Sequence, residues 1–441
     1  MLKENRGDYM EFVKLTEKEF KDFAYHHETA SFHQTIGWGK LKAKNGWKYE
    51  LIGLKDNKKV VAAAMMLSKN TPIKKKMFYA PHGFILDYNN FDVLDTFVKE
   101  VKKYVKDNGG IFFKIDPYVM MIQRDADGKV VEGGKDNTKI YKHLQELGFK
   151  EVNGKVTDQA LQGKWLYILP LEGKSYDQIF NEMGAGTRRA IRKNEKYGVT
   201  VREGNASDFN EFKKIMDHTS ERREFLSRSE SYYKNMYECL NEEGICRIFF
   251  TEINLKEQIE KSTKELKEAK EEFEGNIKEK ESGVCKINDK KFEAKQKELQ
   301  DRIDSLTKNI NEYKEEKEKN GDVLTLGSVI YMIHGDEVIS LVGGAYKEYM
   351  KYQSFYTMHD VMIKYACENG YKTYNFYGIS GNLVESDSMY GIYLMKKGFG
   401  GEVLELLGEF DYPVNKPLYN LYKTSYAAVR KAKKLKTKIH K

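Results

Sequence analysis

Two apolar stripes repeat every seven positions through the most heavily charged part of this chain. Ile259, Leu266 and Phe273 form one, and Phe292, Leu299, Leu306 and Tyr313 form the other. A seven-residue apolar repeat keeps one seam of a helix against a partner helix, so the segment predicts two facing helices joined by a turn. Leu255, Ala269 and Ile277 fill the second seam of the first helix, and Ile303 and Ile310 that of the second. The turn is expected within ESGVCKINDK, residues 281–290, where Gly283, Asn288 and Asp289 are turn formers. Helices of ~27 residues at ~1.5 Å per residue reach about 40 Å. The arm holds 17 basic and 18 acidic residues, a balance that does not by itself attract a polyanion. Its reach, rather than its charge, points to a large partner.

Outside the arm, the 441-residue chain is long enough for two ordinary domains, each able to bury a core. The longest apolar run, Val60 to Leu67, falls far short of the ~20 residues that cross a bilayer. The opening MLKENRGDYMEF lacks the apolar stretch of a secretory signal, so the cytoplasm is the expected location. The four cysteines form no CxxC pair and the nine histidines no HExxH, so neither zinc nor disulfides are expected. The formal net charge of +8 comes almost wholly from RKAKKLKTKIHK, residues 430–441, which hold seven Lys or Arg and no acid. Such a tail suits the phosphates of RNA or an anionic membrane surface, and peripheral contact at the inner face of the cell membrane is the further expectation. DNA is not an expected partner.

The chain states one pattern twice. Strand 48–54, a polar turn, strand 60–67, strand 77–86, a helix over 91–106 and a strand ending at Pro117 make the first copy. Strand 247–253, the arm, SVIYMIHG, EVISLVGGAY, a helix across 359–368 and strand 373–379 make the second. The arm stands where the first copy has only Asp56 to Lys59, and a hairpin tip tolerates added length. Antiparallel strands, a helix and a further strand is the order of N-acetyltransferase-like (GNAT-like) domains. The expected fold class is therefore α+β, two tandem GNAT-like domains with an antiparallel coiled-coil arm inserted in the second. The expected division is 1–165, then 166–253 with 321–441, with the arm at 254–320 and the final strands and helix free to pack back on the first domain. The glycine nest that seats the pyrophosphate of acyl-CoA is missing from both copies, which read DYNNFDVLD and KEYMKYQSF there. A CoA donor is accordingly not expected, and no other cofactor is indicated.

Four segments together resemble the Fem and MurM family of aminoacyl-tRNA-dependent transferases that build peptidoglycan interpeptide bridges. FHQTIGWGKLK (32–42) is similar to the family's Q-x-x-x-W-x-x-x-K, and GTRRAIRKNEKYGVTV (186–201) to its T-R-x-x-I-R-K-x-x-K-x-G-V. TSERREFLSRSESYY (219–233) resembles T-x-x-R-x-x-F-x-x-R-x-x-x-Y. YNFYGISGN (374–382) with GIYLMKKGFGGEVLELLGEFDYPVN (391–415) resembles the closing motifs. Asn375 departs from a common Asp, and Met395 from a Phe before the lysine.

The resemblance implies transfer of an amino acid from aminoacyl-tRNA, the donor substrate, to an amine on a peptidoglycan precursor, either lipid II or UDP-MurNAc-pentapeptide. It implies Lys396 as the cation for the oxyanion and Asp116 as the carboxylate near the acceptor amine. It also implies Lys42, Arg228 and Tyr232 as precursor contacts, with Trp38 either beside the sugar or in the core. Arg188, Arg189, Arg192 and Lys193 form a basic helical cluster fit for tRNA phosphate or for plain solvation. The rival readings are a CoA-dependent N-acyltransferase, a non-catalytic coiled-coil scaffold with transferase-like domains, and transfer to a protein N-terminus.

Overall fold

A computed structural model describes residues 10–152, 163–223, 227–283 and 287–426. Two sheets organise them. The first runs β1 (Met10–Lys14), β2 (Lys48–Asp56), β3 (Lys59–Asn70), β4 (Lys76–Ala80), β6 (Gly110–Ile115), β16 (Phe410–Pro413) and β8 (Lys150–Glu151), with β5 (Ile85–Leu86) on β3. The second runs β10 (Val199–Glu203), β11 (Cys246–Asn254), β12 (Val323–His334), β13 (Glu337–Ala345), β14 (Thr373–Gly378), β9 (Trp165–Pro170), β15 (Glu402–Leu406) and β7 (Met120–Gln123). Each sheet has one parallel pair, β4 with β6 and β13 with β14. Each of those pairs is bridged by a helix, Phe91–Asp107 or Phe355–Glu368. The tandem GNAT-like α+β plan is therefore present in both halves.

The sheets exchange strands. The first 165 residues supply β7 to the second sheet, where it pairs with β15. Near the other end of the chain, β16 returns to the first sheet between β6 and β8. The helical residues from 416 onward follow it there, and Tyr419 packs on Ile111 and Phe112.

Local sequence explains the elements that carry the site. In β3, Ala62, Ala64 and Met66 face the core under helix Phe91–Asp107. Ala63, Met65 and Leu67 face a second core. Both faces are buried, so the strand reads as a continuous apolar run instead of an alternation. That second core draws Phe32 and Trp38 from the first half and Phe212, Met236 and Ile330 from the second, so the halves share it. The segment expected as one strand over 77–86 breaks after Ala80. Pro81 has no amide hydrogen and His82 adopts φ +49°, which ends β4 and starts β5 four residues later.

The arm is helices Leu255–Glu281 and Asp289–Asn320, with residues 284–286 of its tip outside the described residues. Leu255, Ser262 and Ala269 are buried on one helix, and Leu299, Ile303, Ile310 and Tyr313 on the other. Ser262 completes the heptad that Leu255 and Ala269 begin. At the base, the Leu255 amide donates to the Asp322 carbonyl at 2.8 Å, one residue beyond the last β11–β12 pair, Asn254 with Val323. The sheet below is thus closed across the insertion. The basic tail at 430–441 lies outside the described residues.

Candidate active site

A cleft of about 310 Å³ opens between the halves. His33, Trp38, Lys42, Tyr79 and Pro81 line it from the first half, and Arg228, Tyr232, Leu341, Val342 and Tyr377 from the second. Two helices bring its cations together. Helix Ile36–Lys44 starts at Thr35, whose hydroxyl accepts from the Trp38 amide at 3.3 Å. Trp38 and Lys42 are four residues apart and share a face, with Lys42 Nζ 4.3 Å from the indole centroid. Helix Glu230–Asn241 starts at Ser229, which caps the Tyr232 amide at 3.2 Å. Arg228, just before that cap, stands over the Tyr232 ring at 5.3 Å.

The helices meet because Gly37 has no side chain. A Cβ there would lie 2.5 Å from the backbone oxygen of Cys239. Gln34 braces the other wall: its Nε2 donates to the Pro81 carbonyl at 2.7 Å, and its Oε1 accepts from the Met65 amide at 2.6 Å.

Among the described residues no carboxylate lines this cleft. Burial, with Arg228 and Lys69 nearby, pulls the Lys42 ammonium down to about 8. Two cations that repel each other in a half-closed pocket favour an anion that can lie between them. The indole Nε1 of Trp38 is buried without a hydrogen-bond partner. Trp38 is only 5% exposed, so it serves the shared core and the cleft wall at once.

Asp116 sits behind that wall. Its Oδ2 accepts from the Tyr79 hydroxyl at 2.9 Å and its Oδ1 from the His82 amide at 2.7 Å. Burial, with Glu409 nearby, holds the carboxyl well above its usual range. Asp116 therefore reaches the cleft through Tyr79.

Lys396 is buried as well, on helix Tyr390–Lys397. It donates to the carbonyls of Gly378 at 2.7 Å and Tyr377 at 3.2 Å. Burial pulls its ammonium down to about 7. Its neighbour Lys397 is a different residue in kind, since it pairs with Asp127 at the surface. Tyr377 joins these parts. Its side chain lines the cleft, its carbonyl holds Lys396, and Asp116 and Tyr232 add to burial in raising its phenol. It has φ +65°, at a bulge in β14 between Asn375 and Gly378.

Six of the residues singled out in the sequence thus converge: Trp38, Lys42, Arg228 and Tyr232 on the cleft, Asp116 one hydroxyl behind it, and Lys396 under Tyr377. The basic helix divides. Arg188 is half-buried and donates through one guanidinium nitrogen to the carbonyls of Asn181 and Met183. Arg189, Arg192 and Lys193 are exposed, with Arg192 over Phe180 and Lys193 over Tyr197. Sequence reasoning did not single out Tyr79, His33 or Tyr377. Tyr377 lies inside a quoted motif, but its role depends on a left-handed backbone that no spacing reveals. Among the described residues no group of three or more His, Cys, Asp or Glu could hold a metal ion, and no helix is long and apolar enough to cross a membrane.

Comparison with known proteins gives consistent matches. The FemAB family matches residues 15–427. Aminoacyltransferase FemA of Staphylococcus epidermidis is 32% identical over 418 residues, which covers 94% of this chain and 99% of the relative. Aminoacyltransferase FemA of Staphylococcus aureus is 31% identical over 428 residues, covering 96% and 99%. The crystal structure of FemX superposes with a TM-score of 0.78 at 26% identity, over 93% of this chain and 99% of that one.

Proposed function

The chain belongs to the FemAB family and is an aminoacyltransferase, and we propose that it moves an amino acid from the ribose ester of an aminoacyl-tRNA to the stem-peptide amine of a peptidoglycan precursor. The observation that carries this reading is the pair of cations, Lys42 and Arg228, in a cleft whose described lining holds no carboxylate, beside Tyr79–Asp116 and Tyr377–Lys396. Lipid II and UDP-MurNAc-pentapeptide both offer a diphosphate to such a pair, and a guanidinium beside an ammonium matches that charge.

The amine nitrogen attacks the ester carbon, a C–N bond forms, and the C–O bond to ribose breaks. A proton leaves the amine and one is returned to the ribose oxygen. Tyr79 and Asp116 are the proton-accepting side, because Tyr79 lines the cleft and its hydroxyl donates to Asp116 Oδ2, so a proton taken up at the phenol oxygen passes on to the carboxylate. Lys396 is the oxyanion side. Two of the three donors of its ammonium are held by Tyr377 and Gly378, which leaves one for charge that develops in the transition state. The donor is a large RNA. The arm and the exposed Arg192 and Lys193 are the surfaces offered to it, and no cofactor enters the scheme.

The test supplies purified protein with a pool of charged tRNAs and both precursors, and reads the products by mass. The expected product is a precursor heavier by one aminoacyl unit, formed only when charged tRNA is present. Transfer from acetyl-CoA, or onto protein instead of precursor, would replace this reading with one of its rivals.

A further inference from the structure

Asp116 follows β6 of the first sheet and Lys396 lies on helix Tyr390–Lys397 in the second half, yet one unbroken set of contacts ties them together. Asp116 Oδ1 accepts from the His82 amide at 2.7 Å. The His82 ring stacks on Tyr118, with centroids 4.8 Å apart and planes 9° apart. The Tyr118 hydroxyl donates to both carboxylate oxygens of Glu337, at 2.8 and 3.0 Å, and accepts from Asn375 Nδ2 at 3.0 Å. Asn375 Oδ1 accepts from the Tyr377 amide at 2.8 Å, and the Tyr377 carbonyl accepts from Lys396. Tyr118 comes from the first half, and Glu337, Asn375 and Tyr377 from the second.

We propose that Asn375 and Tyr118 are positioning residues that set the placement of Lys396 relative to Asp116, with Glu337 as the acceptor of the Tyr118 hydrogen. This rests on the catalytic reading of Asp116 and Lys396 above. The direction of the hydrogen bonds follows from donor counting. A backbone amide can only donate, so the Asn375 oxygen is committed to Tyr377 and its NH₂ must face Tyr118. The Tyr118 oxygen then accepts, and its single hydrogen goes to Glu337. Asn375 is 1% exposed, so no solvent stands ready to replace a lost partner. The Tyr377 amide it holds belongs to the residue with φ +65° whose carbonyl grips Lys396. Loosening that amide lets the turn relax and carries the ammonium with it.

Donor counting also supplies the test, because it forecasts a pattern that a merely structural role would not produce. Asn375→Asp puts an acceptor where a donor stood and leaves one phenolic hydrogen for two carboxylates. Its kcat should fall about 10- to 100-fold, the scale of an ångström-sized misplacement. The precursor KM should be unchanged, because Lys42 and Arg228 are untouched. Glu337→Gln alone should lower kcat less than Asn375→Asp does, since its amide oxygen still accepts from Tyr118. Combined with Asn375→Asp it should restore most of the lost kcat, because the new amide donates to Tyr118 and Tyr118 donates to the new carboxylate. Tyr118→Phe removes only the hydroxyl and should lower kcat in a chain that still unfolds cooperatively, which keeps the proposal open to test if Asn375→Asp folds poorly. Wild-type kcat in Asn375→Asp or Tyr118→Phe, or a double variant no better than Asn375→Asp alone, would overturn the proposal. Lys396→Met is run beside them. If it retains turnover, the catalytic reading has failed; if it is inactive while Asn375→Asp and Tyr118→Phe are not, only the positioning role has.

Discussion

The two halves of the molecule share one backbone plan and differ at two places. In the first half, β2 and β3 are joined by Asn57 and Lys58, both at positive φ, the tight turn that matches strand twist. In the second, the same junction between β11 and β12 carries the arm. In the first half, β4 is paired with β6 along its whole length, from Lys76 to Ala80. In the second, β13 is paired with β14 only from Glu337 to Ile339, although β13 continues to Ala345. Beyond that point β14 kinks at Tyr377, and Leu341 and Val342 line the cleft without a partner on β14. The closed copy uses its strand end to hold a carboxylate, Asp116, with partners from its own sheet. The opened copy turns its carbonyls onto a lysine. A duplicated fold has thus produced one cleft, with a cation from each copy on its walls, Asp116 behind Tyr79 and Lys396 under Tyr377.

The largest effect tests the opened copy. Lys396→Met should lower kcat about 100- to 1,000-fold with little change in precursor KM, measured in steady-state transfer assays. Lys396 also carries a pH signature with opposite signs for activity and stability. Its folded value of about 7 lies below the ordinary lysine value, so the charged form is present below that point and lost above it. Activity that depends on the ammonium therefore declines as pH rises through about 7. Between about 7 and the ordinary value the unfolded chain binds more protons than the folded one, so this group makes the fold more stable as pH rises. Both trends should vanish in Lys396→Met, which pH-dependent rates and melting curves would reveal.

The cleft wall comes next. Arg228→Met should raise the precursor KM about 10- to 100-fold, the loss of a charge-assisted bond, while leaving the aminoacyl-tRNA KM unchanged. A parallel loss of both would mean that Arg228 serves the donor too. The seam between the copies is tested by Gly37→Ala, whose methyl would meet the Cys239 carbonyl at 2.5 Å. It should cost about 1–3 kcal/mol in denaturant unfolding and weaken precursor binding by parting the helices that carry Lys42 and Tyr232.

The smallest effect on stability belongs to the arm. Replacing residues 255–322 by a two-residue Asn-Gly turn makes the second hairpin like the first. Stability should change little in net, because the roughly 3 kcal/mol of closure entropy recovered by shortening the loop is of the same order as the loss of buried Leu255 and Tyr313 from their cluster with Val199, Ile253 and Leu324. The KM for aminoacyl-tRNA should rise, and precursor binding should not.

Much of this was legible from the order of residues alone. The heptads announced the arm because a coiled coil repeats its signal many times, and even Ser262 falls in register with Leu255 and Ala269. The repeated strand and helix pattern announced two GNAT-like units, since each strand is an apolar run bounded by turn residues. What escaped is what depends on distant partners. The transfer of β7 to the second sheet leaves no local mark, because a strand of four residues reads the same in either sheet. The break at Pro81 to Phe84 was hidden inside an apolar stretch, and its purpose, an amide for Asp116, appears only when β6 lies alongside. Arg188 looked like its basic neighbours, and only the fold turns it onto carbonyls. Tyr79 and Tyr118 are tyrosines among thirty, distinguished by geometry and not by spacing.

Binding stoichiometry tests most directly whether the two copies make a single precursor site. Calorimetric titration with the nucleotide-linked and the lipid-linked precursor in turn should give one site per chain for whichever acceptor the enzyme uses, with affinity lost in the Lys42→Met, Arg228→Met double variant. Two sites per chain, or one whose affinity survives that double variant, would contradict it.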